Sequence, residues 1–515
     1  MKTRSLKILK TSTHMKPICK SLFSMATAAS GKTARWMRSV PLLLLGVTAC
    51  KLPQVATNVR HNPIPGQYPS GTTDTTNSAF LKPSDYFTDP NLVSLIDTAV
   101  RNNQELAIAF TETLVSRAEA QIRQGEYMPT VRAQASAGIE KTPRYTRLGA
   151  LEKNIEIDPG KENPDPLPDL QIGLVANWEV DIWRKLRNAR QSALTRYLGT
   201  LEGRNFAITN IVAEVANSYY ELEALDNQLA LTNQTISILT NALGVVRQQK
   251  EAGRVTELAV QKFEAEVLKT KSLQYDLRQR ITEAENRINF LLGRFPQPIV
   301  RSSLSTDPAH PASSLDSTLP ATIAVGIPSQ LLQNRPDVRR AELEVIASKL
   351  DVKVAKALFF PSLDIRAALG FQAFNPKFLL STPESILANL AGDLTAPLVN
   401  RLAIKGAYVT ANARQVAAAY AYERTVLNAY VEVANQQAKV SNIQNSFSLK
   451  NQQVDALSRS IALATSLFQY GRADYMEVLL TQRDALEAKL ELIETKRNQL
   501  STMVDIYRAL GGGWR

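Results

Sequence analysis

The sequence predicts an α+β membrane protein built as a tandem repeat, each copy giving two amphipathic strands and one very long helical hairpin. Three observations carry this. Gly253-Arg254 recurs as Gly471-Arg472, Glu214-Val215-Ala216-Asn217 as Glu432-Val433-Ala434-Asn435, and Leu292-Gly293 as Leu510-Gly511, always 218 residues apart. Between Leu170 and Ile182 every second residue is apolar, while the positions between include Gln171, Asn177, Glu179 and Asp181. From Ile208 to Val246, steps of three and four land on Ile, Leu or Val at ten of twelve positions, with Ser218 and Thr232 as the exceptions. A constant spacing over such spans marks duplication, period two marks half-buried strands, and steps of three and four mark a helical seam.

Taken in order, the chain opens with positive residues, including Lys32, Arg35 and Arg38, ahead of an apolar run from Val40 to Ala49. As a helix this run reaches about 15 Å, half of a hydrocarbon core of roughly 30 Å. It reads as a secretory signal and not as a span. Val47-Thr48-Ala49-Cys50 resembles the lipobox of bacterial lipoproteins, so residues 1–49 are expected to be cleaved and Cys50 to carry acyl chains such as palmitate. Several chains make a durable anchor where one is marginal. Met25 and Met37 offer alternative starts, but only within the discarded sequence.

Cleavage at Cys50 changes the composition. The formal charge of +12 falls to about +3, because residues 1–49 hold nine Lys and Arg and no acid. The basic pI therefore gives no case for nucleic acid as a partner. Cys19 is lost and Cys50 is consumed, which excludes a disulfide. His61 and His310 are the histidines left, and Met128, Met476 and Met503 the methionines. Histidine catalysis, a histidine metal site and a thioether relay all lack material. No phosphate loop, GxSxG or HExxH occurs, so neither an enzyme nor a cofactor is expected.

Residues 50–90 read as an extended N-terminal linker carrying the lipid anchor, followed by repeat 1 over 91–295. Short helices at about 91–126 lead through Pro129 into a strand in which Val131, Ala133, Ala135 and Ala137 alternate with Arg132, Gln134 and Ser136. Residues 141–168 are polar, with five prolines and no hydrophobic period, and read as a tip loop. The Pro129/Pro361 and Gly138/Gly370 pairs lie 232 residues apart, so copy one carries about 14 extra residues here. The second strand, 170–182, is followed by a helix from near Lys185 to near Lys250, about 100 Å long. Gly253 caps it, and the chain returns on Val260, Phe263, Val267, Leu277, Ile281, Ala284, Ile288 and Leu291. A Pro- and Ser-rich connector, 296–328, joins repeat 2 over 329–511, with a tail at 512–515. Repeat 2 has a helix at 329–358, strands near 363–371 and 388–399, a helix from about Arg401 to Tyr470, and a turn at "QYGRADYM".

Four strands cannot close a barrel, and an open edge in hydrocarbon leaves backbone groups unpaired. Several chains must share one barrel: two give eight strands, with an interior filled by side chains, and three give twelve, with room for a lumen. Apolar positions then face lipid and polar positions line a duct that the long helices continue.

This order of elements, with tip segments such as "GRADYMEVLLTQRDALEAK" (471–489), resembles the TolC-like outer-membrane efflux channels, in the NodT/OprM-like lipoprotein branch that serves RND-type multidrug pumps. The resemblance covers the chain after Cys50. It implies a homotrimer with a shared twelve-stranded transmembrane barrel and a periplasmic coiled-coil helical barrel. A periplasmic adaptor protein docks on the tips, an inner-membrane RND-type pump supplies energy, and the channel hydrolyses nothing. It also puts the pore gate at the second tip: Asp474 and Glu477 as carboxylates, Tyr475 and Arg472 as latches, and Leu480 where many relatives carry aspartate, so that closure is partly apolar. Gly253, Arg254, Val255, Gly471 and Arg472 are the implied adaptor contacts. Lys51 lacks the aspartate that holds lipoproteins in the inner membrane, in keeping with outer-membrane placement. Two other readings remain: the exit duct of type I protein secretion or metal export, and a non-conducting lipoprotein that braces the envelope. The paired amphipathic strands argue against the brace.

Overall fold

The computed structural model describes residues 63–69, 75–156, 159–301, 324–399 and 401–515. The signal, Cys50 and most of the connector lie outside the described residues.

Helix α1 (Pro90–Asn102) starts where the Asp89 carboxylate accepts the Asn91 N–H at 2.8 Å, with proline in the first turn. It stops at Asn103, whose extended backbone divides the short helices expected over 91–126; α2 (Gln104–Tyr127) follows. The reason is local. The Asn103 side chain accepts from Leu106 N at 3.1 Å and donates to Leu291 O at 2.9 Å, capping one helix and tethering another.

Strand β1 (Thr130–Glu140) leads to a connection over 141–166 that contains helix α3 (Arg147–Asn154), where a plain loop was expected. Thr146 caps α3 by accepting from Gly149 N at 3.3 Å. Strand β2 (Leu167–Val180) enters α4 (Lys185–Glu251), a helix of 67 residues. Helix α5 (Glu257–Leu291) returns along it. The second repeat gives α6 (Pro336–Ala357), β3 (Ser362–Ala373), β4 (Ile386–Thr395), α7 (Leu402–Gln469) and α8 (Tyr475–Ala509). Strand β4 ends ahead of Pro397, so it stops earlier than the alternation near 388–399 suggests.

The four strands form one antiparallel sheet in chain order, with β1 and β4 as its edges. The four long helices lie side by side in the order α5, α4, α8, α7. Helix α2 packs on α4, and α6 packs on both α4 and α7. Every return-helix residue expected on the seam is buried, from Val260 to Leu291. Ser218 and Thr232, the seam's exceptions, are buried too, and the Thr232 hydroxyl donates to Gln228 O at 2.7 Å. By contrast α7 buries only Asn412, Ala429, Val433 and Val454, and leaves Leu427, Leu449 and Leu463 in the open.

The duplication reaches individual contacts. Gly293 and Gly511 both have positive φ, and a Cβ on either would sit 2.4 Å from Asn102 O or 2.6 Å from Asn334 O. Asn103 holds Leu291 O in one copy, and Arg335 holds Ala509 O at 2.7 Å in the other. The segment before α1 is not a simple extended linker: Tyr68 stacks on Tyr430 at 5.5 Å and Tyr86 on Tyr507 at 4.1 Å. Aromatic burial ties this stretch to α7 and α8.

Candidate functional site: a one-sided sheet and two helical tips

The strand register decides what each face of the sheet presents. Val131 pairs with Ala176, Ala133 with Leu174 and Ala135 with Ile172; Ile172 meets Phe371 and Leu174 meets Leu369; Ala367 meets Leu390 and Leu363 meets Leu394. One face is therefore apolar across all four strands. The other carries Ser136, Gln171 and Gln372 in one row, and Glu179, Asp364 and Asp393 in another. Lys185 pairs with Glu179 at 2.5 Å and Arg366 with Asp393 at 3.7 Å, which tempers the acidic row. On this polar face Gly173 opposes Gly370 so closely that a Cβ on Gly370 would lie 2.3 Å from Ile172 O.

At the far end of the helices the two hairpin turns share one backbone. Gly253 N–H bonds Lys250 O at 2.9 Å and Arg254 N–H bonds Gln249 O at 2.8 Å. Gly471 and Arg472 repeat this on Phe468 O and Leu467 O at 3.0 and 2.8 Å. Both glycines have φ near +70°, at 69° and 71°, as the left-handed cap demands. The side chains differ. The first turn is clamped by Lys250 on Glu257 at 2.5 Å, and Gln261 also donates to Glu257 at 2.9 Å. These two hydrogen bonds hold the Glu257 carboxyl below its usual range. The duplicate positions of Lys250 and Glu257 are Phe468 and Tyr475, so the second turn has no such pair.

The structure brings Val255 and Tyr475 together: both pack on a tip cluster of Leu239, Leu243, Val246, Ala259, Val260, Phe263, Val267 and Leu479. The two tips are thus fastened side by side within one chain. Gly253, Arg254, Gly471, Arg472, Asp474 and Glu477 are exposed, and Leu480 is 40% exposed. Asp474 is the residue before α8 and Glu477 lies in its first turn, which favours acids through the helix dipole. Lys250 and Glu257 escaped the sequence reading, although a Lys and a Glu seven residues apart across a glycine turn could have disclosed them.

A second polar centre was also missed, where α1 meets α4. Glu223 is only 5% exposed, beside Asp89, whose carboxylate accepts from the Tyr219 hydroxyl at 2.6 Å. Burial, and then the neighbouring Asp89 charge, push the Glu223 carboxyl up to about 7. Nearby, Arg301 bridges Asp226 and Glu285, each at 2.5 Å. Glu223 occupies an interior position next to the seam, where a sequence reading of apolar steps passes over it.

A sheet with one apolar and one polar face, continued by helices of which α4 and α7 run about 100 Å, suits a channel component that crosses a membrane and reaches into the space beneath it. The chain belongs to the outer membrane efflux protein family, which matches residues 95–294 and 327–512. It is similar to the solvent efflux pump outer membrane protein SrpC of Pseudomonas putida, 27% identical over 438 residues, 85% of this chain and 88% of that one. The cation efflux system protein CusC of Escherichia coli is 24% identical over 431 residues, covering 84% and 88%. Among solved structures, a Pseudomonas aeruginosa membrane protein aligns with a TM-score of 0.78 at 24% identity over 89% of this chain and 99% of its own. The open-state MtrE outer membrane channel of Neisseria gonorrhoeae aligns with a TM-score of 0.77 at 22% identity over 90% and 98%. The protein is an outer-membrane component of efflux with the α+β channel fold of these structures.

Proposed function

We propose that this chain forms a lipid-anchored homotrimer whose shared twelve-stranded barrel and helical tube conduct substrates passively out of the cell. The observation that carries the reading is the one-sided sheet with two unpaired edges, β1 and β4, which another chain must cover in hydrocarbon. The open apolar residues of the outermost helices agree with it: Leu268 and Tyr275 on α5, Leu427, Leu449 and Leu463 on α7. Three copies leave a lumen where two would not.

Energy comes from an inner-membrane RND-type pump, reached through a periplasmic adaptor on the tips, and the channel itself carries out no chemistry. Gly253, Arg254, Val255, Gly471 and Arg472 are the proposed adaptor contacts. Asp474 and Glu477, repeated around the axis, narrow the aperture and favour cations; Leu480 adds apolar closure, and Tyr475 and Arg472 latch neighbouring helices. Cys50 carries the acyl chains. Relatives named for solvent, toluene, antibiotic and pyoverdine efflux favour small organic cargo of the multidrug kind. Native mass spectrometry of the detergent-extracted protein should give an acylated trimer, and Glu477→Ala or Asp474→Ala should raise single-channel conductance in planar bilayers severalfold. A monomer in every detergent, or a trimer that conducts nothing, ends this reading.

A further inference from the structure

We propose that helix α3, in the β1–β2 connection, lies on the outer leaflet beside the barrel, with Leu148, Leu151 and Ile155 at the acyl boundary and Lys141, Arg147 and Lys153 on anionic headgroup phosphates. The inference rests on reading the sheet as part of a membrane-spanning barrel.

One side of α3 is firmly built. Gly149 is pressed so close to Pro143 that a Cβ would lie 2.3 Å from its carbonyl oxygen. Thr142 donates to Glu152 at 3.1 Å, Asn163 donates to Glu152 O at 3.4 Å, and Arg144 pairs with Asp165 at 2.9 Å. The neighbouring side of the helix carries Leu148 and Leu151, three residues apart and 63% and 50% exposed, with Tyr145 fully exposed just ahead of the helix and Ile155, the extended residue after it, 52% exposed. A connection that only had to cross water would not order three large aliphatic groups and a tyrosine outward, each aliphatic one forgoing roughly half of the 1.5–3 kcal/mol that full burial gives. An apolar stripe flanked by cations is the form of an interfacial helix, and tyrosine suits the headgroup level.

Two further features choose lipid over another copy of the chain. Ile139, on the apolar face of β1 just before the connection, is 74% exposed, so the apolar surface of the sheet continues toward α3. Charge is also divided along the connection. Residues 141–153 hold Lys141, Arg144, Arg147 and Lys153 against Glu152 alone, whereas Glu156, Asp158, Glu162 and Asp165 follow the helix against Lys161 alone. The β3–β4 connection of a neighbouring copy, 374–385, offers Lys377 and Glu384 and hence no net anionic surface. The phosphates of an outer leaflet do.

The test is tryptophan fluorescence of Leu151→Trp in the full-length protein, reconstituted in vesicles of phosphatidylcholine and phosphatidylglycerol and read as the difference from the unsubstituted protein. Brominated acyl chains are expected to quench the added tryptophan severalfold more than aqueous iodide. Quenching by iodide alone would mean a solvated helix, and quenching by neither would mean a helix packed on another protein surface; either overturns the inference. Leu174→Trp, on the apolar face of the sheet, separates the two readings. If it is quenched by brominated chains while Leu151→Trp is not, only the placement of α3 fails; if neither is, the barrel reading fails with it.

Discussion

Glu223 is a carboxyl that folding makes harder to ionise. Its surroundings come from every element packed there: Asp89 ahead of α1, Tyr219, Tyr220 and Asp226 on α4, and Arg301 beyond α5. Its Oε2 has no hydrogen-bond partner among the described residues. Below its ordinary value of 4.5 the group is protonated both folded and unfolded, and costs nothing. Between 4.5 and about 7 the unfolded chain releases a proton that the folded chain keeps, so stability falls as pH rises. Above that window the penalty is complete, about 3 kcal/mol at most. Glu223→Gln removes the charge and keeps the shape. Scanning calorimetry in detergent at pH 5 and pH 8 should find that the parent loses more stability than the variant over this interval. Identical losses would show that the buried carboxyl is not the cause.

At the scale of elements, the sheet depends on two residues that have no side chains. Gly173 and Gly370 face each other across β2 and β3 at van der Waals limits, on the face opposite the apolar one. Glycine in a strand interior allows close backbone approach and tight bending. Gly370→Ala adds one methyl group against Ile172 O, an overpacking that costs about 1–3 kcal/mol. If the proposed trimer forms, Gly370→Ala should reduce the fraction of protein running as an oligomer on semi-native gels at least tenfold; normal assembly would mean that the strands can move apart freely. The turn glycines Gly253 and Gly471, the strand alternation and both seams of the first hairpin were legible because period and spacing are local properties, whereas the approach of Gly173 to Gly370 needed the strand register. The break at Asn103 was not legible either, since it depends on Leu291 O nearly two hundred residues away. Helix α3 was hidden by prolines that flank it without entering it. The docking of Tyr68 and Tyr86 needed the positions of Tyr430 and Tyr507, which no local pattern supplies. At the tips the glycine turns were readable, whereas the clamp of Lys250 on Glu257 shows only once the turn is built.

For the whole molecule, the two faces of one sheet predict opposite outcomes for the same substitution. Leu174→Arg puts a charge on the face assigned to lipid, where midplane cations cost about 2–4 kcal/mol; Gln171→Arg, three residues away, puts it on the lumen face. The first should abolish insertion into the outer membrane, measured by fractionation. The second should insert normally and shift the ion selectivity of the reconstituted channel toward anions. Equal insertion of both variants would contradict the assignment of faces. The two tips carry a different lesson. In the proposed trimer, three copies of a duplicated chain would end in six turns with one backbone shape, an almost sixfold rim. Yet three of those turns are clamped by Lys250 and Glu257, and the other three carry Phe468 and Tyr475 in those places. A partner that used one surface for both kinds of turn would therefore meet two unlike seats, one held in shape by a charged pair that salt loosens and one without it, so its contacts with the two would not be equivalent.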